Sequence, residues 1–350
     1  MRYVSIFSVK TGDILGTPIL SHQGRILLNR GVVLSGHIIK RLREMGITMV
    51  TIDDAISKDV VLTDIITLER RREALMAIEA SGEAVKTGKE IDLERLKGVV
   101  GEIVDDILFE KDILLSLMDI RSYDIQMFAH AVSVCIMSVV LGKSLRLDRE
   151  RLNTLATGAL LHDIGMIRLP QELLRKREPF SPDELAVYQT HAEEGFNILR
   201  NRHDINLVSA HIAYQHHEIV DGNGYPRGLK GKNIHPLAQI VALVDFYDNL
   251  VNAGPGHGCI NPNEAVEVVM GGAGTQFPHE LVKAFLDHTA IYPTGCSVEL
   301  NTGDKGIIIN QNRSLPARPI VQVSQGETDD NQKIIDLVEQ LTIFITKIIA

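Results

Sequence analysis

Between residues 123 and 290, imidazoles and carboxylates sit inside segments that are otherwise apolar and helical in period. They are His130 in MFAHAV, His162 and Asp163 in LLHDIG, His191 in YQTHAEEG, His216 and His217 in YQHHEI, and Asp245 in VALVDFYD. A charged group buried without a partner costs on the order of several kcal/mol, so any fold of this region must give each of them one. Five imidazoles and two carboxylates form a donor set for iron, manganese or zinc, and a carboxylate such as Asp163 has two oxygens with which to bridge a pair of ions. Taken singly, each residue has a plainer reading, because a lone helix histidine is usually hydrogen-bonded and structural. On a helix, His216 and His217 would point about 100° apart, toward two different ions or toward core and solvent. It is the combination that favours a shared metal centre.

The remaining composition narrows the partners. A chain of 350 residues has room for two or three domains. A net charge of -9 with 45% hydrophobic and 23% charged residues fits a soluble globular protein with no basic field for a nucleic-acid polymer or an anionic membrane. An anionic ligand would then need a local cation. Cys135, Cys259 and Cys296 are far apart and form no CxxC pair, which argues against a disulfide framework or a zinc-thiolate site and for a reducing cytoplasm. The start, MRYVSIFSVKTGD, lacks the apolar run of a signal peptide, and polar residues break the later apolar runs, so no membrane span is expected.

The pattern along the chain predicts a mainly α protein, with an all-helical region flanked by a small N-terminal α+β domain and a small β-rich C-terminal segment. Residues 1–60 alternate short β-branched runs with turns around HIIKRLREMG, a helix closed by Gly46. Residues 61–122 read as a helical connector, with Leu93, Leu96, Val100, Ile103 and Ile107 along one face, a stripe for its own chain or for a dimer. Residues 123–290 are the long helical region. There SPDE supplies Ser181 as cap, Pro182 as first helical residue and Glu184 to close a capping box, placing His191 within the helix. Residues 291–350 return to alternation, although LTIFITKII fits a strand or a helix.

In this order the motifs resemble those of the HD-GYP proteins, a subgroup of the HD-domain metal-dependent phosphohydrolases. The resemblance is carried by His130, LLHDIG, Lys176 with SPDE and His191, HHEIVDGNGYP, GLKGKNI and DFYDNL. It implies an all-helical catalytic domain holding two divalent metal ions, iron before manganese or zinc. The implied reaction is hydrolysis of cyclic di-GMP, or a related cyclic dinucleotide, through a hydroxide bridging the two metals. The implied ligands are His130, His162, Asp163, His191, His216, His217 and Asp245, with His162 and Asp163 central to catalysis and Asp163 as the bridge. Lys176, Asp221, Gly222, Gly224, Tyr225 and Pro226 are the implied substrate and loop residues, and Glu218 and Asp221 are candidates to orient imidazoles or to hold a turn.

The chain also departs from that pattern. The lysine that ends HDxGK is Met166, Gly254 and His257 stand where a downstream basic segment has arginines, and Gln126 replaces a glutamate expected of three-metal members. Two metals are therefore expected, with a weakened phosphate clamp that Lys176, Arg168 or Arg227 would have to rebuild. The alternatives are a metal-bound but catalytically weak signalling or adaptor module, with a protein partner or as a homodimer, and a phosphohydrolase for another phosphoester.

Overall fold

The computed structural model describes residues 1–21, 25–47, 49–58, 60–62, 64–110, 114, 126–176, 178–252, 260–324 and 332–349. The chain divides into two compact units. One contains residues 1–64, 114–126 and 287–350, and the other residues 65–113 and 127–286.

In the first unit, β1 (Arg2–Ser5) pairs antiparallel with β4 (Met49–Ile52), and the short β2 (Ile19–Leu20) pairs with β3 (Ile26–Leu28). Helix α1 (Gly36–Glu44) starts at Ser35, whose side chain accepts from the Ile38 amide, and the chain turns out of it through Gly46 at φ 74°. Val4, Ile6, Leu15, Leu34, Leu42, Val50 and Ile52 close its core.

The C-terminal strands of this unit are β5 (Ser297–Leu300), β6 (Lys305–Asn310), β7 (Ile320–Ser324), β8 (Gln332–Asp336) and β9 (Ile345–Ile349). They form an antiparallel sheet ordered β8-β7-β6-β5-β9. The last five residues of LTIFITKII, Ile345–Ile349, are thus a strand, because their backbone finds the edge of β5. Val298, Leu300, Ile308, Val321, Val323 and Ile335 face inward, and Tyr3 packs on the same cluster.

The second unit is helical: α2 (Leu68–Lys86), α3 (Leu93–Phe109), α4 (Gln126–Ser144), α5 (Arg149–Leu160), α6 (Gln171–Arg175), α7 (Pro182–Leu199), α8 (Leu207–Gln215), α9 (Pro236–Asn252), α10 (Pro262–Gly271) and α11 (His279–Asp287). The stripe Leu93, Leu96, Val100, Ile103 and Ile107 is buried, and α3 packs on α2 and α5 of the same chain. α7 begins with the Ser181–Glu184 capping box and Pro182. Small residues let the helices that carry the site come close. A Cβ on Gly158 of α5 would lie 2.4 Å from Ile212 of α8, and one on Gly195 of α7 would lie 3.5 Å from Ala213.

Residues Met127–Ser144 of α4 form an 18-residue window of mean hydropathy 1.5, long and apolar enough to cross a membrane even though His130, Ser133 and Ser138 interrupt its apolar run. The window is 72% buried inside the protein, which is how a central core helix meets the same test.

Candidate metal centre

Five segments bring the seven polar residues together. α4 contributes His130, the turn after α5 contributes His162 and Asp163, α7 contributes His191, the end of α8 contributes His216 and His217, and α9 contributes Asp245. Each segment approaches closely for a local reason. Past Asp163 the chain winds into a 3-10 turn, Ile164–Arg168, packed on α7, where a Cβ on Gly165 would stand 2.1 Å from the His191 carbonyl oxygen. α8 ends at Gln215 with His216 as its C-cap, so the helical 100° rule does not govern the histidine pair. Their rings lie 4.1 Å apart and both belong to the same cluster.

Asp163 sits between two groups of donors. Its Oδ2 is 3.4 Å from His162 Nε2 and 3.8 Å from His130 Nε2, while its Oδ1 is 3.4 Å from His191 Nε2 and 3.5 Å from His216 Nε2. Asp163, His191, His216 and His217 form one group of converging ligand atoms, and His130, His162 and Asp245 form another.

The hydrogen bonds fix which ring atoms face inward. His162 Nδ1 donates to the Ala159 carbonyl at 2.7 Å, His191 Nδ1 to Tyr188 at 2.6 Å and His216 Nδ1 to Ala213 at 2.8 Å. A carbonyl only accepts, so in each neutral ring Nδ1 carries the proton and the Nε2 lone pair points into the centre. There His191 Nε2 meets His216 Nε2 at 3.2 Å and His217 Nε2 at 3.1 Å. Among the described residues, His162 Nε2 and Asp163 Oδ1 are buried with no hydrogen-bond partner. Lone pairs that converge at such distances need a cation among them, and these residues therefore fit a metal site.

The electrostatics of His191 and His217 agree with that fit, whereas at His162 burial is outweighed by Asp163 and Asp245, which raise its pKa. Burial, with a further push from His216, depresses His191 to about 4 despite Asp163, and burial with His216 and His191 nearby holds His217 well below its ordinary value. Both rings are neutral near pH 7, as metal ligands must be. Burial opposes ionisation of Asp163 and Asp245, yet the surrounding imidazoles outweigh it and hold both carboxyls well below the usual range. Burial alone would depress His130 too. Hydrogen bonds to Asp245 (2.9 Å from Nε2) and Asp248 (2.6 Å from Nδ1) outweigh it and push its pKa up to about 10.

Asp248 escaped the sequence reading. It is 2% exposed, and Asn252 donates to its other oxygen at 3.1 Å, so a buried carboxylate fixes the His130 ring where backbone carbonyls fix His162, His191 and His216. The available signal was spacing, since Asp245 and Asp248 are three apart and share a face of α9. Tyr188 was missed as well, although it lies three residues before His191 on the same helix face.

The loop after His217 is built as a support. Glu218, 1% exposed, accepts from the Arg227 and Leu229 amides at 2.8 Å each, and Asp221 accepts from the Asn223 amide at 2.8 Å. Neither orients an imidazole, so of the two roles open to them the turn role is the one observed. Gly222 adopts φ 85°, and a Cβ on Gly224 would fall 2.4 Å from the His217 carbonyl oxygen. The Tyr225–Pro226 peptide is cis, and the Tyr225 ring stacks on His217 with centroids 4.5 Å apart.

The candidate clamp cations are otherwise engaged. Lys176 Nζ bonds both oxygens of Glu184 at 2.8 and 2.6 Å, Arg168 pairs with Glu194 at 2.6 Å, and the Arg227 guanidinium lies over the Tyr214 ring at 5.7 Å. Lys176 is thus tied to the Glu184 that caps the start of α7. Met166 is buried at 4% exposure. Gly254, His257 and Cys259, and the side chain of Gln126, lie outside the described residues.

Residues 115–281 match the HD domain, and residues 297–350 match the KOW domain associated with HD domain. The chain thus has a region similar to the HD domain followed by one similar to the KOW domain associated with it. It is 28% identical over 278 residues to the cyclic di-GMP phosphodiesterase PA4108 of Pseudomonas aeruginosa, covering 77% of this chain and 67% of that protein. It is 34% identical over 184 residues to a cyclic di-GMP phosphodiesterase of Thermotoga maritima, covering 52% of this chain and 50% of that protein. This chain therefore spans about two thirds of one relative's length and half of the other's. Its fold is similar to that of an HDG"Y"P protein from Bdellovibrio bacteriovorus, with a TM-score of 0.55 at 22% identity over 81% of this chain and 97% of that one.

Proposed function

We propose that this chain is a metal-dependent phosphodiesterase that hydrolyses cyclic di-GMP or a related cyclic dinucleotide with two divalent cations. The observation that carries this reading is Asp163, which presents one carboxylate oxygen to each of two groups of imidazole nitrogens, Oδ2 to His162 and His130 and Oδ1 to His191 and His216. His191, His216 and His217 would hold one ion and His130, His162 and Asp245 the other, with Asp163 shared. Cations held there would neutralise a phosphodiester and acidify a water for attack near neutral pH. The chain's own residues supply position: three carbonyls and Asp248 set the imidazole orientations, and Glu218 holds the GYP loop against His217. The names of the relatives support a cyclic dinucleotide as substrate, and the resemblance to HD-GYP proteins supports iron, although nitrogen and oxygen donors also suit manganese and zinc. We also place the chain in a reducing compartment, which the free buried Cys135 and Cys296 support.

A second reading, a metal-bound module with weak turnover, is favoured by one observation. Met166 stands where a cation is expected, while Lys176 and Arg168 are tied to carboxylates. A substrate panel separates the two. Metal-reconstituted protein is given cyclic di-GMP, cyclic GMP-AMP and a generic phosphodiester beside an Asp163→Ala control. Turnover confined to cyclic dinucleotides supports the first reading, and full metal content without turnover supports the second.

A further inference from the structure

We propose that the Tyr188 hydroxyl grips the ligand at this centre by donating a hydrogen bond to a phosphate oxygen. The ring is fixed from several sides. Tyr188 stands one helical turn before His191 on α7, its carbonyl receives the His191 Nδ1 proton, its ring lies 5.1 Å from the His191 ring, and Phe180 packs behind it at 5.0 Å. Tyr225 faces the same imidazole from another direction, stacked on His217 and 6.2 Å from His191. Both phenol rings therefore flank the imidazoles of the centre.

Each ring is only half-buried, and among the described residues no protein group accepts a hydrogen bond from either hydroxyl. A neutral donor held beside the imidazoles of the centre, with no acceptor of its own among the described residues, suits an oxyanion that arrives with its charge compensated by metal. With Met166 apolar and Lys176 and Arg168 paired elsewhere, phenols replace cations in the grip on phosphate. The identification of the natural ligand as a phosphodiester rests on the function proposed above; the contact itself does not.

The experiment compares the wild-type full chain with Tyr188→Phe, which keeps the ring against His191 and Phe180. Metal content is measured first, then binding of inorganic phosphate to the metal-loaded proteins by calorimetry, then KM and kcat for cyclic di-GMP. The expected result is equal metal content with phosphate affinity lower by about ten- to a hundredfold, the range for a hydrogen bond to a charged group. For cyclic di-GMP, KM should rise more than kcat falls. Equal phosphate affinity in the two proteins, a wild type that binds no phosphate at full metal loading, or loss of metal from the variant would each overturn the proposal. A wild type that binds phosphate but hydrolyses no cyclic dinucleotide would sink the phosphodiesterase reading alone, and the phosphate comparison would still stand.

Discussion

His191 Nε2 faces His216 Nε2 at 3.2 Å, and the other nitrogen of each ring donates to a backbone carbonyl. Two lone pairs held this way make the metal-free centre unfavourable and the loaded one stable. Removing the ions with a chelator should therefore lower Tm, and restoring a divalent cation should raise it. With free ion at a hundred times its Kd, the gain is about 2.7 kcal/mol. Differential scanning calorimetry of stripped and reloaded protein checks this, and a Tm indifferent to metal would count against the centre.

Asp248 orients His130 through a 2.6 Å hydrogen bond. Asp248→Asn keeps the shape but turns a charged acceptor into a weaker one, and Asp248→Ala removes it. Metal affinity should fall roughly 10- to 100-fold in the alanine variant, with a smaller loss in the asparagine variant. Competition with a chromophoric chelator measures both. Equal affinities across the three proteins would show that the contact does not govern the ion.

The pH response should reverse with metal. Without metal, His130 is held at about 10 against its ordinary 6.5. A raised pKa gives stability that is fully present below the unfolded value and is lost as pH climbs through the folded one, so the stripped protein should lose Tm as pH rises from about 7 to about 10. Metal must displace the proton on His130 Nε2, so ion affinity should instead grow over the same range. Thermal melts of both forms across pH test this, and parallel curves for the two forms would refute it.

The close approach of the Asp163 turn to α7 predicts a strict requirement at Gly165. A methyl group there would meet the His191 carbonyl at 2.1 Å and the Gly195 amide nitrogen at 2.5 Å, both backbone atoms that cannot swing away. Gly165→Ala should cost about 1–3 kcal/mol and displace Asp163 from His191. Gly98→Ala, on an open face of α3, is the control and should be neutral or slightly stabilising. Chemical denaturation with metal analysis reads both effects.

How much of this was legible in the sequence depends on which forces were local. The imidazoles were visible because ionisable groups stood out within apolar helical repeats, and the Ser181–Glu184 box was visible because capping is local chemistry. The strand identity of Ile345–Ile349 within LTIFITKII was not, since only pairing with β5, far away in sequence, breaks the tie between its two periods. The shared orientation of His216 and His217 was hidden because it depends on α8 ending at Gln215. Asp248 and Tyr188 lay in quoted motifs but gained roles only when α4, α7 and α9 met. The engagement of Lys176 by Glu184 likewise depends on how the turn before α7 folds back onto its cap.

The most direct test of the whole account is a time course of cyclic di-GMP with protein reconstituted to two ions per chain, resolved by chromatography beside Asp163→Ala at matched concentration. The account predicts linear dinucleotide or GMP from the wild type, and from the variant neither product nor the full complement of metal. A wild type carrying both ions that leaves cyclic dinucleotides intact would contradict it.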